Sequence, residues 1–482
     1  MIGITSYGAY IPRYRMSRKT ISSSVGFMGT SALPGEKSIA NWDEDSITMA
    51  VAAGIDCLQG VARNSIDGLF FATTSQPYLI RQNSTIISSA LNLSNSITTG
   101  DFTTCTKSGT SALISAIAAV KSTEFNSIVV TASDCRVAKA GGLQEQLYGD
   151  GAAAVLVGNN NVIASFDGYY SLSYDFPDRW KSAGDQYERM WEDRFVRDEG
   201  YTKIIPQAIF GLLSKYKLDI KNFTKIIYPG IYVREHAIIA KTIGASSNQL
   251  QPTAMDTIGD TGSASPLLLF IAALEESKPG DKILVASYGN GCDALFFTVT
   301  EKIEKIRNSR RGFIKNLAYR KEFTTYCKYL TFRNALNVEV GIRGENPIFT
   351  RLSTLWREHE AIMSLIGTKC SQCGTPQFPP RRICINPTCG ALDKMEPYPF
   401  SDKKGTLFSF TADNLRASID PPSLYGIIDF DGGGRFWFDI TDCELDQLKV
   451  GMKMEMTFRL KEFDKASGQH IYFWFATPDR NK

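Results

Sequence analysis

Cys105 stands in "GDFTTCTKSGTSALISAIAAV" (Gly100 to Val120), immediately before a run of small and apolar residues. A thiol at the first turn of a helix lies near unsatisfied backbone N–H groups and the positive end of the dipole, which favours the thiolate and its nucleophilicity. A free cysteine is also among the residues most often buried for packing alone, so on this stretch both roles stay open. Four further cysteines are grouped. Cys370, Cys373, Cys384 and Cys389 in "CSQCGTPQFPPRRICINPTCG" form C-x2-C and C-x4-C pairs separated by ten residues. Two knuckles supplying two thiolates each satisfy a tetrahedral zinc ion, and a site with no open position is structural. The competing reading is a ribbon that has lost its metal or holds iron, since the second spacing is wider than the usual x2. Asp260 in "IGDTG" can act as a base or cap the following helix. The loop "SYGNGC" places Gly289 and Gly291 where backbone can approach a ligand closely, or where a simple tight turn is made. Histidine is scarce: His236, His359 and His470 are the three in the chain.

Layered α/β structure must position these groups. The first 300 residues alternate β-branched runs with helical stretches, and the order repeats. "DGLFFATT", the helix "TSALISAIAAV", "SIVVTAS" and "AAAVLVG" in the first half are answered by "TKIIYPG", the helix "SASPLLLFIAAL", "KILVASYG" and "ALFFTVT". Both helices are rich in Ala and Ser, which suits burial between sheets. The halves are expected at 1–165 and 166–300. Between them, "DFPDRWKSAGDQYERMWEDRFVRDEGY" (Asp175 to Tyr201) alternates aromatics and charges too densely for a core strand, and is expected to cap the site or an interface. A basic helical stretch at 301–367 reads as a solvated connector. A zinc ribbon at 368–393 and a small barrel of short strands at 394–482 complete the chain.

Composition narrows the classes. At 482 residues there is material for more than one core, with 43% apolar and 21% charged residues. A formal charge of +3 names no polyanionic partner, and "FWFDITDCELD" and "GIIDFDGGG" put acids where a phosphate track would want Lys and Arg, against nucleic-acid binding. No apolar run approaches 18 residues and "MIGITSYGAYIPRYRM" reads as a strand and turn, so neither membrane nor signal segment is expected. Six scattered cysteines fit reduced thiols, and a cytoplasmic location is expected.

"GDGAAAVLVG", "IGDTGSASPLLLF" and "SYGNGCDALFF", in that order after the cysteine helix, resemble the thiolase superfamily, in its hydroxymethylglutaryl-CoA synthase and ketoacyl synthase III branch. "WDEDSITMA" and "SDCRVAKAGGLQEQLYGDGAAA" look most like archaeal-type hydroxymethylglutaryl-CoA synthases. The ribbon with its "FPPRR" turn and the barrel resemble the OB-fold acyl-CoA-associated proteins that accompany such enzymes. The resemblance implies a duplicated five-layer αβαβα fold over residues 1–300. It implies that Cys105 attacks an acyl-CoA thioester and holds the acyl group for carbon–carbon bond formation. The oxyanion would then be met by the Cys105 N–H and by the Gly289–Gly291 loop. It further implies a homodimer and a thiolase-like partner.

The same resemblance exposes departures. The family's histidine after the first strand of the second half is replaced: the residue after Pro229 is Gly230. His236, six residues on in a helix, is a poor substitute. The family's general acid/base glutamate falls at Thr74, and Asp260 stands where ketoacyl synthases carry asparagine. A cysteine without these helpers can accept and release an acyl group, but a second substrate needs another source of acid/base chemistry. The expected activity is therefore an acyl-CoA-dependent acyltransferase or condensing enzyme, with true hydroxymethylglutaryl-CoA synthase activity in doubt. The alternative is a non-catalytic acyl-CoA-binding scaffold that organises a separate thiolase.

Overall fold

The computed structural model describes residues 1–25, 31–345 and 349–480. The chain divides into two units, one of Met1–Asn41, Asp45–Ser88 and Leu93–Leu330, the other of Trp42–Glu44, Ser89–Asn92 and Thr331–Lys482.

In the first unit nine strands form one hydrogen-bonded order. β1 (Gly3–Tyr10), β2 (Gly68–Ala72), β3 (Thr98–Phe102), β4 (Ser127–Asp134) and β5 (Gly151–Gly158) run β3-β2-β4-β5-β1. β6 (Ala164–Ser173), β7 (Lys225–Ile227), β8 (Lys282–Tyr288) and β9 (Gly291–Val299) run β7-β8-β9-β6. The runs meet where β1 pairs with β6 through Gly3–Ser165 and Ile4–Ala164. Outward from that seam each half places its first strand, its last, its last but one, and its second. The parallel and antiparallel senses match as well. Among the described residues the second half has no counterpart of β3; a single parallel bridge, Ile226 to Leu250, stands in its place.

Two helices of small and apolar residues fill the space between the halves. α2 (Ser108–Lys121) and α5 (Ser265–Glu276) contribute Ala112, Ala116, Leu267 and Phe270 to a core shared with β1, β4, β5, β8 and β9. Gly109 is required at their approach, because a Cβ there would lie 2.4 Å from the Ser263 carbonyl oxygen. On the outside, α1 (Ser46–Cys57) packs on β1, β4 and β5, while α3 (Thr202–Tyr216) packs with α4 (Val233–Ile243) on the second half. Asp45 caps α1 by accepting from the Thr48 N–H at 2.8 Å, and the Thr48 hydroxyl answers the Asp45 N–H. Helix, sheet, paired helices, sheet and helices make the duplicated five-layer αβαβα thiolase-like fold that the resemblance implied.

The basic stretch after β9 exposes Lys302, Lys305, Lys315 and Arg320 to solvent, but its start is anchored. Its first part, to Leu330, belongs to the first unit. Arg310 is buried, donating to the Ser6 hydroxyl at 3.1 and 3.2 Å. Asp56 accepts from the Arg311 and Gly312 N–H groups and Glu275 from those of Phe313 and Ile314, so one buried and one half-buried carboxylate meet the N–H groups at the start of α6 (Gly312–Ala318). The partners lie tens to hundreds of residues away, where local patterning cannot see them.

In the second unit, the ribbon strands at Ile366–Cys370, Pro376–Gln377 and Met395–Pro399 form one small sheet. β10 (Gly405–Asp413), β11 (Ser423–Phe430), β12 (Arg435–Asp439), β13 (Lys453–Asp464) and β14 (Gln469–Pro478) form another, ordered β12-β11-β10-β13-β14. A bridge from Ile440 to Ala476 draws its ends together as a barrel does. Beneath it, fully buried Arg459 is surrounded by the carboxylates of Asp43, Glu44 and Asp442.

Candidate active site and metal centre

Cys105 lies in the turn between β3 and α2, partly buried, three residues before the helix begins. The residue before it, Thr104, has φ of 81°, a left-handed conformation that costs a non-glycine residue about 1 kcal/mol or more. That twist turns the chain sharply into the helix. Among the described residues, no hydrogen bond engages the backbone N–H of Cys105, Thr106 or Lys107. They are the orphan donors of a helix start.

The glycine loop after β8 packs against this turn. The Thr106 hydroxyl donates to the Tyr288 carbonyl at 2.7 Å. A Cβ on Gly289 would lie 2.6 Å from the Thr106 Oγ1 and 3.0 Å from the nitrogens of Thr106 and Lys107. Gly291 has φ of 119°, and a Cβ on it would lie 2.1 Å from the Leu172 carbonyl oxygen. Both glycines are thus required by close approach. Lys107 reaches Asp293 of β9 at 3.3 Å, and Asp293, buried, also accepts from the Thr110 and Ser111 hydroxyls at 3.0 Å. The nucleophile turn is therefore held from both halves of the repeat.

Where the family glutamate would stand, Thr74 donates through its N–H (2.7 Å) and hydroxyl (3.0 Å) to Asp134. Thr73, Ser75 and the Ser263 N–H complete the set of donors around that buried carboxylate. Gly230 is buried against Thr253, and a Cβ there would lie 2.3 Å from the Thr253 Cγ2, so the site has no room for an imidazole. His236 stacks on Tyr228 with ring centroids 4.1 Å apart, and burial pushes its pKa down to about 4. It is a neutral packing group at pH 7. His359 and His470 lie in the second unit, against Trp356 and Phe463.

Asp260 is buried in an arginine cluster. Its carboxylate meets Arg136 at 2.8 Å and Arg179 at 3.9 Å, and accepts from the Gly262 N–H at 3.0 Å. Burial opposes its ionisation most strongly, but Arg136 and Arg179 outweigh it and hold the carboxyl below the usual carboxylate range. Arg136 also lies over the Tyr148 ring, 3.9 Å from its centroid, and Tyr148 donates to Glu188 at 2.7 Å. Arg179 and Glu188 come from the charged, aromatic segment between the halves, which folds as a two-stranded ribbon at Arg179–Trp180 and Arg189–Met190. No local motif marks Asp134, Arg136 or Arg179 as members of this cluster. Asp134 and Arg136 are charges at the end of the apolar run of β4, whereas Arg179 is one of many charges in its own segment.

In the ribbon, the sulfur atoms of Cys370, Cys373, Cys384 and Cys389 all lie within 4.8 Å of one another, with Cys373–Cys384 at 3.5 Å and Cys370–Cys389 at 3.9 Å. Tetrahedral zinc with Zn–S bonds of about 2.3 Å needs sulfurs roughly 3.8 Å apart, so the four thiols fit that ion.

Comparison with known proteins agrees with this geometry. Residues 361–394 match the family model "ChsH2, rubredoxin-like zinc ribbon domain" and residues 398–459 match "ChsH2, C-terminal OB-fold domain". The hydroxymethylglutaryl-CoA synthase of Methanopyrus kandleri is 32% identical over 347 residues, covering 70% of this chain and 98% of that protein. That of Thermococcus gammatolerans is 31% identical over 340 residues, 69% of this chain and 96% of the relative. Among solved structures, a hydroxymethylglutaryl-CoA synthase complexed with CoA superposes with a TM-score of 0.63 at 19% identity, covering 73% of this chain and 94% of that one. The 3-oxoacyl-[acyl-carrier-protein] synthase III of Aquifex aeolicus gives 0.56 at 17% identity, covering 62% and 100%. With the repeat, the cysteine turn and near full-length coverage of these relatives in agreement, the chain belongs to the hydroxymethylglutaryl-CoA synthase family and carries a zinc ribbon and OB-fold barrel at its C-terminal end.

Proposed function

We propose that the protein is an acyl-CoA-dependent acyltransferase or condensing enzyme working through an acyl thioester on Cys105. The observation that carries this reading is the turn at Cys105, where free backbone N–H groups, a left-handed Thr104 and the close-packed Gly289 loop meet. The Cys105 sulfur attacks the carbonyl carbon of the CoA thioester, and the carbonyl oxygen takes up charge. The N–H groups of the turn, with backbone from the Gly289–Gly291 loop, are suited to receive that charge. The bond to the CoA sulfur then breaks, CoA leaves as a thiol with the proton given up by Cys105, and the acyl group stays on Cys105. Asp260, paired to arginines and held ionised, acts by positioning Arg136 and the segment that bears Arg179. Zinc on the four ribbon cysteines would supply structure only, since four thiolates leave no open position.

The outer edge of β3, which pairs with no further strand among the described residues, supports a homodimer joined through that strand. The ribbon and barrel suit recruitment of a thiolase-like partner, as the family resemblance implies. Thr74 bound to Asp134 and the closed pocket at Gly230 favour a second reading, an acyl-CoA-binding scaffold without turnover. Incubation with a panel of acyl-CoAs and intact mass measurement separates the two. An acyl adduct absent from Cys105→Ala supports the transferase, whereas no adduct with any donor supports the scaffold. Gel filtration with light scattering tests the dimer, and co-purification with a thiolase tests the partner.

A further inference from the structure

We infer that Ser108 is a positioning residue for the Cys105 thiolate, its hydroxyl turning from backbone carbonyls to the sulfur when the thiol ionises. This deepens the acyl-cysteine reading and rests on it. Ser108 opens α2 and is almost fully buried, at 2% exposure, so its hydroxyl is served by protein alone. Its Oγ lies 3.6 Å from the Cys105 Sγ, 2.6 Å from the Cys105 carbonyl oxygen and 3.2 Å from that of Thr103. One hydroxyl carries one proton. In the neutral enzyme that proton goes to a carbonyl, and the oxygen lone pair accepts the S–H. The Cys105 carbonyl also accepts from the Ser108 N–H at 3.1 Å, so it stays satisfied when the hydroxyl leaves it. A hydrogen bond to a charged acceptor is worth roughly twice a neutral one, so once the proton leaves sulfur, the O–H pointing at S⁻ is the better arrangement.

The other charged groups on elements packed against the turn are already engaged. Lys107 pairs with Asp293, Asp134 is filled by Thr73–Ser75 and Ser263, Asp101 of β3 accepts from Asn83 and Ser84, and Asp260 holds Arg136. With a glycine at 230 and a threonine at 74, Ser108 is, among the described residues, the polar side chain in hydrogen-bond contact with the sulfur.

The test is the pH dependence of iodoacetamide alkylation at Cys105, followed on its own peptide by mass spectrometry in the full-length protein. Ser108→Ala should move the midpoint up by roughly half to one pH unit, with Ser108→Thr, which keeps the hydroxyl, restoring it. A Ser108→Ala midpoint equal to wild type, with the variant folded by circular dichroism, overturns the proposal. A midpoint that moves equally in Ser108→Thr also overturns it, because the effect would then be packing. The acyl-adduct measurement on wild type stands apart: its failure sinks the acyl-cysteine reading whatever the alkylation profile shows.

Discussion

The Asp260 carboxylate lies 2.8 Å from the Arg136 guanidinium, and both side chains are buried. Breaking a buried pair from one side leaves the other charge without compensation, at a cost of about 3–5 kcal/mol. Asp260→Asn should therefore lower the melting temperature markedly, while the fraction that remains folded still acylates Cys105. A variant as stable as wild type but unable to acylate would make Asp260 a participant in the chemistry instead. Because its folded-state pKa is depressed, the stabilisation is complete above the unfolded value near 4 and is lost only as pH falls through the lower folded value.

Gly289 has no room for a methyl group between itself and Thr106. Gly289→Ala should push the loop off the nucleophile turn and slow Cys105 acylation by roughly tenfold or more, the scale of a misplaced oxyanion donor. Stopped-flow release of CoA, read beside thermal melting, checks that the loss exceeds any drop in stability.

Gly230 is closed by Thr253. Restoring the family histidine with Gly230→His should give no gain in condensation and a stability loss of about 1–3 kcal/mol from overpacking. Condensation product from Gly230→His at wild-type stability would show that the pocket opens, contrary to this packing.

Asp43 is buried beside Arg459, and its pKa is pushed up to about 7, first by burial and then by Asp442 and Glu44, against the pull of Arg459. A raised carboxyl binds more protons folded than unfolded, so its contribution to stability is present below the unfolded value near 4 and falls as pH rises toward 7. Denaturant melts of the second unit between pH 5 and 8 should show that decline. Asp43→Asn should flatten it; an unchanged slope in that variant removes Asp43 as its source.

One zinc per chain is expected in freshly purified protein, measured by plasma mass spectrometry. Cys384→Ser should lose it and expose the ribbon to protease while leaving the first unit's melting transition in place. Full metal retention in that variant counts against a four-thiolate site.

The sequence by itself determined the repeat, the small-residue helices, the cysteine at a helix start and the zinc spacing. Each is a local signal, written in periodicity or in residues a few positions apart. It also exposed the missing helpers, since Gly230 and Thr74 are read directly from the chain. The tertiary structure alone decided what surrounds those positions. Asp260 is bound by Arg136 and Arg179 from two other segments, Thr74 is drawn to Asp134 some 60 residues away, and Gly289 of the second half closes on Thr106 of the first. The basic stretch after β9 belongs to the first unit to Leu330, anchored where Ser6, Asp56 and Glu275 supply partners to Arg310 and the start of α6. Whether a charged or polar residue is a base, a cap or a clamp depends on which distant groups desolvate and neutralise it, and chain order does not carry that information.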